Sequence, residues 1–193
     1  STLYSGAIPI DVSTTIKAIA AKPDWVTSAV DSATYTVRAE LPYSPASAMT
    51  GVTGTGDSLY IPYDAVDSTV TITMETVAAA DMPAGGIVVL DRGFDFGPDG
   101  LVFTNPLTLT VPYDPAIVAA AGIGESALHG YWYNTTAGAW EGIESEVDTA
   151  ANIVVLSISH FSTFTVGASV EPPVFSLPGD TYSGPQHVAL SCA

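Results

Sequence analysis

The chain has 193 residues, 47% of them hydrophobic, so it is long enough and apolar enough to bury a substantial core. Its charge is strongly negative, because 20 acidic residues face only four cations and the formal net charge is −16. Nucleic acids and anionic membrane surfaces are bound through clustered Lys and Arg, and this composition excludes both as partners.

The use of Gly, Pro and Cys narrows the class of protein. The 17 Gly and 14 Pro residues separate short alternating runs along the whole chain, which is typical of an all-β protein. The single cysteine, Cys192, cannot form an internal disulfide. The chain has no basic leader and no apolar run near the roughly 20 residues of a spanning helix. We therefore expect a mature or excised piece of an extracellular or cell-surface protein.

Residues 1–40 contain three candidate strands, and these are the runs "AIPI", "TTIKAIAA" and "SATYTVR". In the second run, Ile16, Ala18 and Ala20 share one face, which predicts one-sided burial. Three strands form about half of a small sandwich, which is too little to be stable alone.

Residues 41–168 form the main body. Turn residues separate its predicted strands at the spacing of a β-sandwich. The strands are "SLYIPYDAV", "STVTITMETV", "GIVVLDRGFDF", "LTLTVPYD", "LHGYWYN", "GAWEGI" and "NIVVLSISHFSTFTV". One helix is predicted after Asp114, which caps it with Pro115 in the first turn, and Gly122 ends it early.

Residues 169–193 form a linker and a strand that begins to alternate. Its apolar set has no partner strand after it, and a complementary apolar set lies at the other end of the chain. The expected interface residues are Phe175, Tyr182, Val188 and Leu190 at the C-terminal end, and Leu3, Ile8, Ile10, Ile16 and Tyr35 at the N-terminal end. We expect the 41–168 domain to hold these two ends apart.

The two terminal segments resemble halves of one module type. "PPVFSLPGDTYSGPQHVALSCA" resembles the first strands of the chitobiase/β-hexosaminidase C-terminal domain, a small immunoglobulin-like module. The segment that starts "STLYSGAIPIDVSTTIKAIAAKPDW" resembles the last strands of the same family. The resemblance implies one repeat unit of a tandem array, cut out of phase with its modules.

The main body resembles the ZU-type domain of ankyrins, netrin receptors and many bacterial surface proteins. The similarity lies in "DFGPDGLVFTNPLTLTVPYDP", "GYWYNTTAGAWEGI" and "SHFSTFTV". The usual Gly-Gly opening is replaced by "TGVTGTG". In this family the domain is mainly a scaffolding and protein-interaction unit, so the resemblance implies no enzymatic activity.

The tripeptide His160–Phe161–Ser162 is a candidate site of self-cleavage. The ZU-type resemblance implies attack of the Ser162 hydroxyl on the Phe161 carbonyl, with His160 as the base. Alternation along one continuous strand places His160 and Ser162 on the same face. The alternative is structural, with both side chains hydrogen-bonded at the end of an apolar strand face.

Asp91, Asp95 and Asp99 are the candidate metal ligands, because Ca²⁺ prefers several oxygen ligands on one flexible loop. Their spacing differs from that of an EF-hand. The alternative is that Asp99 and Gly100 simply form a turn.

Several aromatic residues suggest, as a further alternative, a carbohydrate-binding surface on which sugar rings stack. Its members are Trp25, Tyr131, Trp132, Tyr133 and Trp140, although Trp132 and Trp140 also suit a core. His129 and His187 stand alone, so no metal cluster is predicted from the histidines. Asn134 begins the glycosylation sequon Asn-Thr-Thr.

The expected fold is an all-β, ZU-like sandwich flanked by two incomplete immunoglobulin-like half-modules. The expected function is that of a non-enzymatic structural repeat in an extracellular surface protein, adhesin or filament. Its units join head to tail with other copies or neighbouring repeats, by β-strand complementation. The alternatives are a carbohydrate-binding accessory module of a secreted glycosidase and a self-cleaving His-Phe-Ser domain.

Overall fold

A computed structural model describes residues 3–169, 174–177, 179 and 181–191 of the chain. Two antiparallel sheets pack face to face, which confirms the all-β sandwich. The first sheet has six strands, in the order β10 (Ala139–Gly142), β9 (His129–Asn134), β13 (Thr163–Ser169), β7 (Ile87–Gly97), β6 (Val70–Ala78) and β3 (Arg38–Tyr43). The second sheet has five, in the order β11 (Ser145–Asp148), β12 (Ile153–His160), β8 (Val102–Pro112), β5 (Ser58–Ile61) and β4 (Met49–Val52).

Two further sheets are hairpins of two strands each. β1 (Thr14–Ala18) pairs with β2 (Asp31–Tyr35), and we call this pair with its connecting loop the N-terminal hairpin. β14 (Val174–Phe175) pairs with β15 (Leu190–Ser191), and this pair is the C-terminal hairpin. The predicted strand at residues 7–10 is wrong, because the chain there is extended without a ladder partner.

The core of the sandwich follows the predicted alternation. Val154, Leu156 and Ile158 of β12 are fully buried, and the residues between them point outward. Burial of such a side chain stabilises the fold by about 1.5–3 kcal/mol. At one end of the core, the Phe161 ring lies 4.7 Å from Phe103 between ring centroids and 5.3 Å from Phe96.

The one α-helix among the described residues, α1 (Pro115–Ala120), begins as predicted. The Asp114 carboxylate accepts a hydrogen bond from the Ala116 amide at 2.8 Å, and Pro115 occupies the first turn. Gly122 has a φ of 73° directly after the helix, so it ends the helix there. No helix among the described residues is long and apolar enough to cross a membrane.

The chain changes sheets at Phe161, and this corrects the single strand predicted for residues 152–166. β12 ends at His160 in the five-stranded sheet, and β13 begins at Thr163 in the six-stranded sheet. The Phe161 amide donates to the Leu101 carbonyl at 2.8 Å, and the Gly100 amide donates to the Phe161 carbonyl at 3.1 Å. These bonds satisfy the backbone at the crossover.

A buried ion pair connects the two sheets. Asp57, at the turn before β5, is fully buried, and Arg92 on β7 is 8% exposed. The Arg92 guanidinium donates to the Asp57 carboxylate from Nη2 at 2.5 Å and from Nε at 3.2 Å. It also donates to the Pro112 carbonyl at 2.8 Å and to the Asp91 carboxylate at 2.5 Å. Each of the three nitrogens of this guanidinium therefore donates to an acceptor.

The threonines of the β4–β5 turn complete the environment of Asp57. Thr53 donates its hydroxyl to the Asp57 carboxylate at 2.8 Å, and Thr55 donates to the same oxygen. Burial lowers the pKa of Arg92, but its hydrogen bond and attraction to Asp57, with the added charge of Asp91, outweigh this effect and raise it. Arg92 is therefore charged at neutral pH.

Strand direction and register decide where the chain enters and leaves the six-stranded sheet. β3 runs in the direction of β7, because both are antiparallel to β6 between them, whereas β13 is antiparallel to β7. Ser169, at the end of β13, pairs with Ile87 at the end of the sheet at which β7 begins, which we call the hairpin end. Arg38, at the start of β3, pairs with Glu75, which pairs with Asp95 near the end at which β7 finishes, the far end.

β3 begins well away from the point at which β13 ends. The two strands lie three positions apart in the sheet, or about 14 Å at the usual strand spacing. Arg38 is also level with Thr163 and not with Ser169, which adds about 20 Å along the strands. That the 41–168 domain holds the two terminal segments apart stays a prediction.

The inter-sheet ion pair gives a stability prediction. Asp57→Ala leaves a buried guanidinium without its main partner, so we expect the free energy of unfolding to fall by about 3–5 kcal/mol in a denaturant titration. Glu40→Ala is the matched control, because it breaks the exposed pair that Glu40 makes with Arg38 at 2.8 Å. That loss should stay below about 1 kcal/mol. Equal losses in the two variants would contradict the role given to Asp57.

Candidate functional site

The N-terminal hairpin has one mainly apolar and one polar face. Its register pairs Thr14 with Tyr35, Ile16 with Ala33 and Ala18 with Asp31, and these six residues share the mainly apolar face. The polar face carries Thr15, Lys17, Ser32 and Thr34, and the Thr15 and Thr34 hydroxyls are 3.0 Å apart. The one-sided burial predicted for this strand is not observed, because Ile16 is only half-buried and Ala18 is exposed.

The apolar side chains of the first 37 residues lie largely in solvent. Leu3 is 90% exposed and Val26 97% exposed. The other exposed members are Tyr4, Ile8, Ile19, Trp25, Val30 and Tyr35, whereas Ile10 and Ile16 are half-buried. Monomeric proteins rarely expose so many large apolar groups in one segment, and such surfaces commonly mark an interaction site.

Ser13 attaches the N-terminal hairpin to the sandwich. It is 5% exposed and forms a short parallel bridge with Val77 at the end of β6, in which its amide donates to the Thr76 carbonyl at 2.5 Å. Its hydroxyl accepts a hydrogen bond from the Val37 amide at 2.7 Å. The Thr15 amide donates to the Asp81 carboxylate at 3.0 Å. The hairpin is therefore held at its root beside the end of β6. Because the bridge to Val77 is parallel, β1 runs from there toward the hairpin end.

The C-terminal hairpin is smaller. Phe175 pairs with Leu190, and the Ser176 amide donates to the Ala189 carbonyl at 2.9 Å just beyond that pair. Of the predicted interface residues in this segment, Tyr182 and Val188 are exposed. The side chains of Phe175 and Leu190, and the whole of Cys192, lie outside the described part of the structure.

The predicted self-cleavage site is divided by the crossover. Ser162 donates its hydroxyl to the Tyr133 carbonyl at 3.2 Å, and the ring nitrogen of His160 lies 3.4 Å from the Ser159 hydroxyl. Between His160 and Ser162, both of which the structure describes, there is no hydrogen bond. The expectation that they share a strand face is wrong, because β12 ends between them. His160 instead packs its ring edge-on against Trp132, 4.7 Å between centroids.

The three aspartates proposed as calcium ligands do not form one site. Asp91 binds Arg92, while Asp95 accepts a hydrogen bond from the Thr163 hydroxyl at 3.0 Å. Four residues along a strand span about 13 Å, which is too far for two carboxylates to share an ion. Asp99 lies in the turn closed by the Leu101 amide and the Pro98 carbonyl at 3.2 Å, as its alternative prediction stated. Within the described ranges, no group of three acidic, His or Cys residues is arranged to hold a metal.

Asp95 is nevertheless electrostatically unusual. It lies on the outer face of the six-stranded sheet, with Glu75 of β6 opposite it and Asp99 nearby. Loss of solvent around its carboxylate raises the pKa of Asp95, the Thr163 hydrogen bond lowers it, and the charges of Glu75 and Asp99 raise it further, so the net direction is upward. We call Glu75, Asp95 and Asp99 the acidic row, and their carboxylates repel one another at neutral pH.

The aromatic residues do not form a common flat platform. Trp140 is buried, and its indole donates to the Pro83 carbonyl at 2.9 Å, beneath the loop that follows β6. Trp132 packs against the core, which confirms the core alternative for this residue, whereas Trp140 is buried on the other face of the sheet. Tyr133 contacts Trp140 edge-on. Trp25 alone is far out in solvent, 71% exposed, with the Lys22 ammonium 4.5 Å from its ring centre.

The remaining polar side chains that the structure describes are dispersed. His129 contacts the Ser145 hydroxyl through Nδ1 at 3.0 Å, and that hydroxyl accepts from the Gly130 amide, so the pair ties β9 to β11. His187 is exposed. A shallow groove of 160 Å³ between β3 and β4 has Asp11 and Arg38 as its charged lining residues. Arg38 already pairs with Glu40.

Comparison of the chain with protein-family models found no match, and comparison with curated proteins found none either. The ZU-type and chitobiase-type resemblances therefore stay predictions.

The absence of contact between His160 and Ser162 predicts that the folded chain stays intact. No base lies within reach of the Ser162 hydroxyl among the described residues, and that hydroxyl is held by a carbonyl. Mass spectrometry of protein stored at neutral pH should show one species of 19.8 kDa. Two fragments that meet between Phe161 and Ser162, and that Ser162→Ala removes, would contradict this expectation.

The raised pKa of Asp95 predicts the sign of a pH effect. Its stabilising contribution is present in full below the ordinary value of 3.8 and is lost as the pH rises through the raised folded value. Asp95→Asn removes this pH-dependent loss of stability. The variant should therefore have a higher urea midpoint than the parent at pH 7 and the same midpoint near pH 3.

A charge-matched control and a calcium arm complete this test. Asp67→Asn removes an exposed carboxylate outside the row and should not reproduce the pH-dependent gain. A rise in the melting temperature of the parent with calcium, absent from Asp95→Asn, would instead indicate that the row binds the ion.

Proposed function

We propose that the chain is a non-enzymatic structural repeat of an extracellular surface protein, adhesin or filament, whose units join head to tail by β-strand complementation. The observation that carries the proposal is the N-terminal hairpin, which has an apolar face and a solvent-exposed apolar loop. Within the described residues, β1 and β2 form a sheet of only two strands. An isolated two-stranded sheet is marginal in water, so it is expected to gain partners.

The occupant that we assign to this surface is the C-terminal hairpin of a second copy. Its strands are also confined to a two-stranded sheet among the described residues. The hairpins are both small and both carry exposed apolar residues, Tyr35 on one and Val188 on the other. Addition of strands to an open edge satisfies backbone groups and covers apolar faces in the same step.

The competing arrangement is closure of one unit upon itself. It requires the two terminal segments to meet across three strand positions and about 20 Å along the strands, from Arg38 to Ser169. In the folded chain, each hairpin makes its ladder with itself and not with the other. Closure gives a monomer, whereas a head-to-tail junction is open and propagates into a chain. Oligomeric state therefore separates the two.

A carbohydrate-binding accessory module is the second candidate. The exposed Trp25 ring favours it, because sugars stack on such rings. The candidate has weaker support, because Trp132 and Trp140 are used in packing. Loss of retention on a polysaccharide column by Trp25→Ala, with unchanged assembly, would favour this alternative.

The proposed junction is tested by disabling each end separately. Deletion of residues 174–193 removes the inserted hairpin, and Ile16→Asp places a charge on the apolar face of the receiving one. Each variant alone should be monomeric by sedimentation, and an equimolar mixture should give heterodimers, because each partner keeps one intact end. The parent chain should form extended assemblies.

The chain offers a matched control for the charge itself. Ser32→Asp introduces the same charge on the polar face of the same hairpin and should leave assembly unchanged. Circular dichroism and thermal melting must show an intact sandwich in every variant. A parent chain that sediments only as a monomer, or an Ile16→Asp variant that still forms long assemblies, would overturn the proposal.

A further inference from the structure

We propose that Asn134 is an N-glycosylation site whose glycan is displayed at the far end of the sandwich. The proposal does not depend on how the units join. It rests on the sequon, on the shape of the turn that contains it and on the location of that turn. The donor of the transferred group is an oligosaccharide carried on a lipid phosphate.

The sequence offers a single acceptor. Asn134 is followed by Thr135 and Thr136, which gives the Asn-x-Thr pattern of a glycosylation site. Asn105 is followed by Pro106, and Asn152 has Val154 in place of the required hydroxyl residue. Any N-linked glycan on this chain is therefore expected at one position.

The turn presents the acceptor side chain at the tip of the β9–β10 hairpin. The Gly138 amide closes the turn on the Asn134 carbonyl at 2.8 Å. The side-chain oxygen of Asn134 accepts from the amides of Thr136 at 2.9 Å and Ala137 at 3.1 Å. This arrangement folds Thr136 back beside the amide group, and residues 135–138 are exposed. A transferase can reach the turn without unfolding a strand of the core.

The reactive atom is Nδ2 of Asn134. It donates one hydrogen to the Glu141 carboxylate at 2.7 Å. In the transfer, Nδ2 bonds to the anomeric carbon of the lipid-linked oligosaccharide, the bond from that carbon to the phosphate oxygen breaks, and the lipid phosphate leaves. Nδ2 loses one proton, and no oxidation or reduction occurs. The remaining N–H can still donate to Glu141, so the folded turn accommodates the product.

The sheet register places this turn away from the hairpins. Trp132 pairs with Phe164, which pairs with Phe94, and Asn134 lies further along in the direction in which β7 ends. That is the far end, whereas β1 runs from its bridge at Val77 toward the hairpin end. A glycan on Asn134 therefore leaves the proposed junction uncovered.

The test uses the full chain, secreted from eukaryotic cells that contain an oligosaccharyltransferase. Intact mass should show one glycan, and release by peptide-N-glycosidase should convert Asn134 to Asp. Thr136→Ala should abolish the modification by removing the required hydroxyl. Thr135→Ala is the matched control, because it changes the neighbouring residue of the same turn and should keep the glycan.

A second arm presents the folded, purified chain to an oligosaccharyltransferase with a lipid-linked oligosaccharide, which tests the accessibility of the native turn. An unmodified parent chain in cells that glycosylate a co-secreted reporter would overturn the proposal, as would a glycan that persists in Thr136→Ala. Assembly is measured on the same samples. Equal sedimentation of Thr136→Ala and the parent is expected, and impaired assembly of the glycosylated parent alone would contradict the placement at the far end.

Discussion

The contact between Arg92 and Asp57 is the constraint on which the sandwich depends. Arg92 belongs to the six-stranded sheet and Asp57 to the turn before β5 in the other sheet, so the pair fixes how the two sheets sit on each other. A buried cation is tolerated only when each of its donors is satisfied. Here two carboxylates and the Pro112 carbonyl meet it, which also sets where β8 ends.

The same contact explains why Arg92, one of the few cationic residues of this acidic chain, lies in the interior. Only four Lys and Arg residues are present against 20 Asp and Glu, and one of the four is buried. The remaining acidic groups therefore face each other across the surface with little compensation, as Glu75, Asp95 and Asp99 do. Net negative charge keeps such a surface soluble, at the expense of self-repulsion in the compact state.

Local patterns predicted much of the fold. The alternation of β12 identified its buried face, and Asp114 and Gly122 located the limits of α1. The crossover at Phe161 could not be recognised from the sequence, because the inner faces of both sheets point into one core. Residues of the same parity, from Val154 through Ile158 to Phe164 and Val166, are therefore buried on either side of the break. Alternation alone cannot distinguish one long strand from two strands that face the same core.

The pairing of residues far apart in the chain could not be predicted from the sequence, for a different reason. Arg92 stands alone in the apolar run "GIVVLDRGFDF", which signals that a buried carboxylate must meet it. Nothing in the spacing selects Asp57 from 20 acidic residues. The strand order of the two sheets likewise follows from long-range register. Of the candidate interface, the apolar face at Ile16 and Tyr35 was predictable, whereas its attachment through Ser13 was not.

The register of the six-stranded sheet has a consequence for the proposed assembly. The chain enters the sheet at Arg38 and leaves it at Ser169, and these points lie about 20 Å apart along the strands and three strand positions apart across them. A force that pulls the two terminal segments apart would therefore pass through the ladders that join β3, β6, β7 and β13. In the proposed polymer these four strands would carry the tension, whereas the five-stranded sheet and the Asn134 turn would lie beside that path.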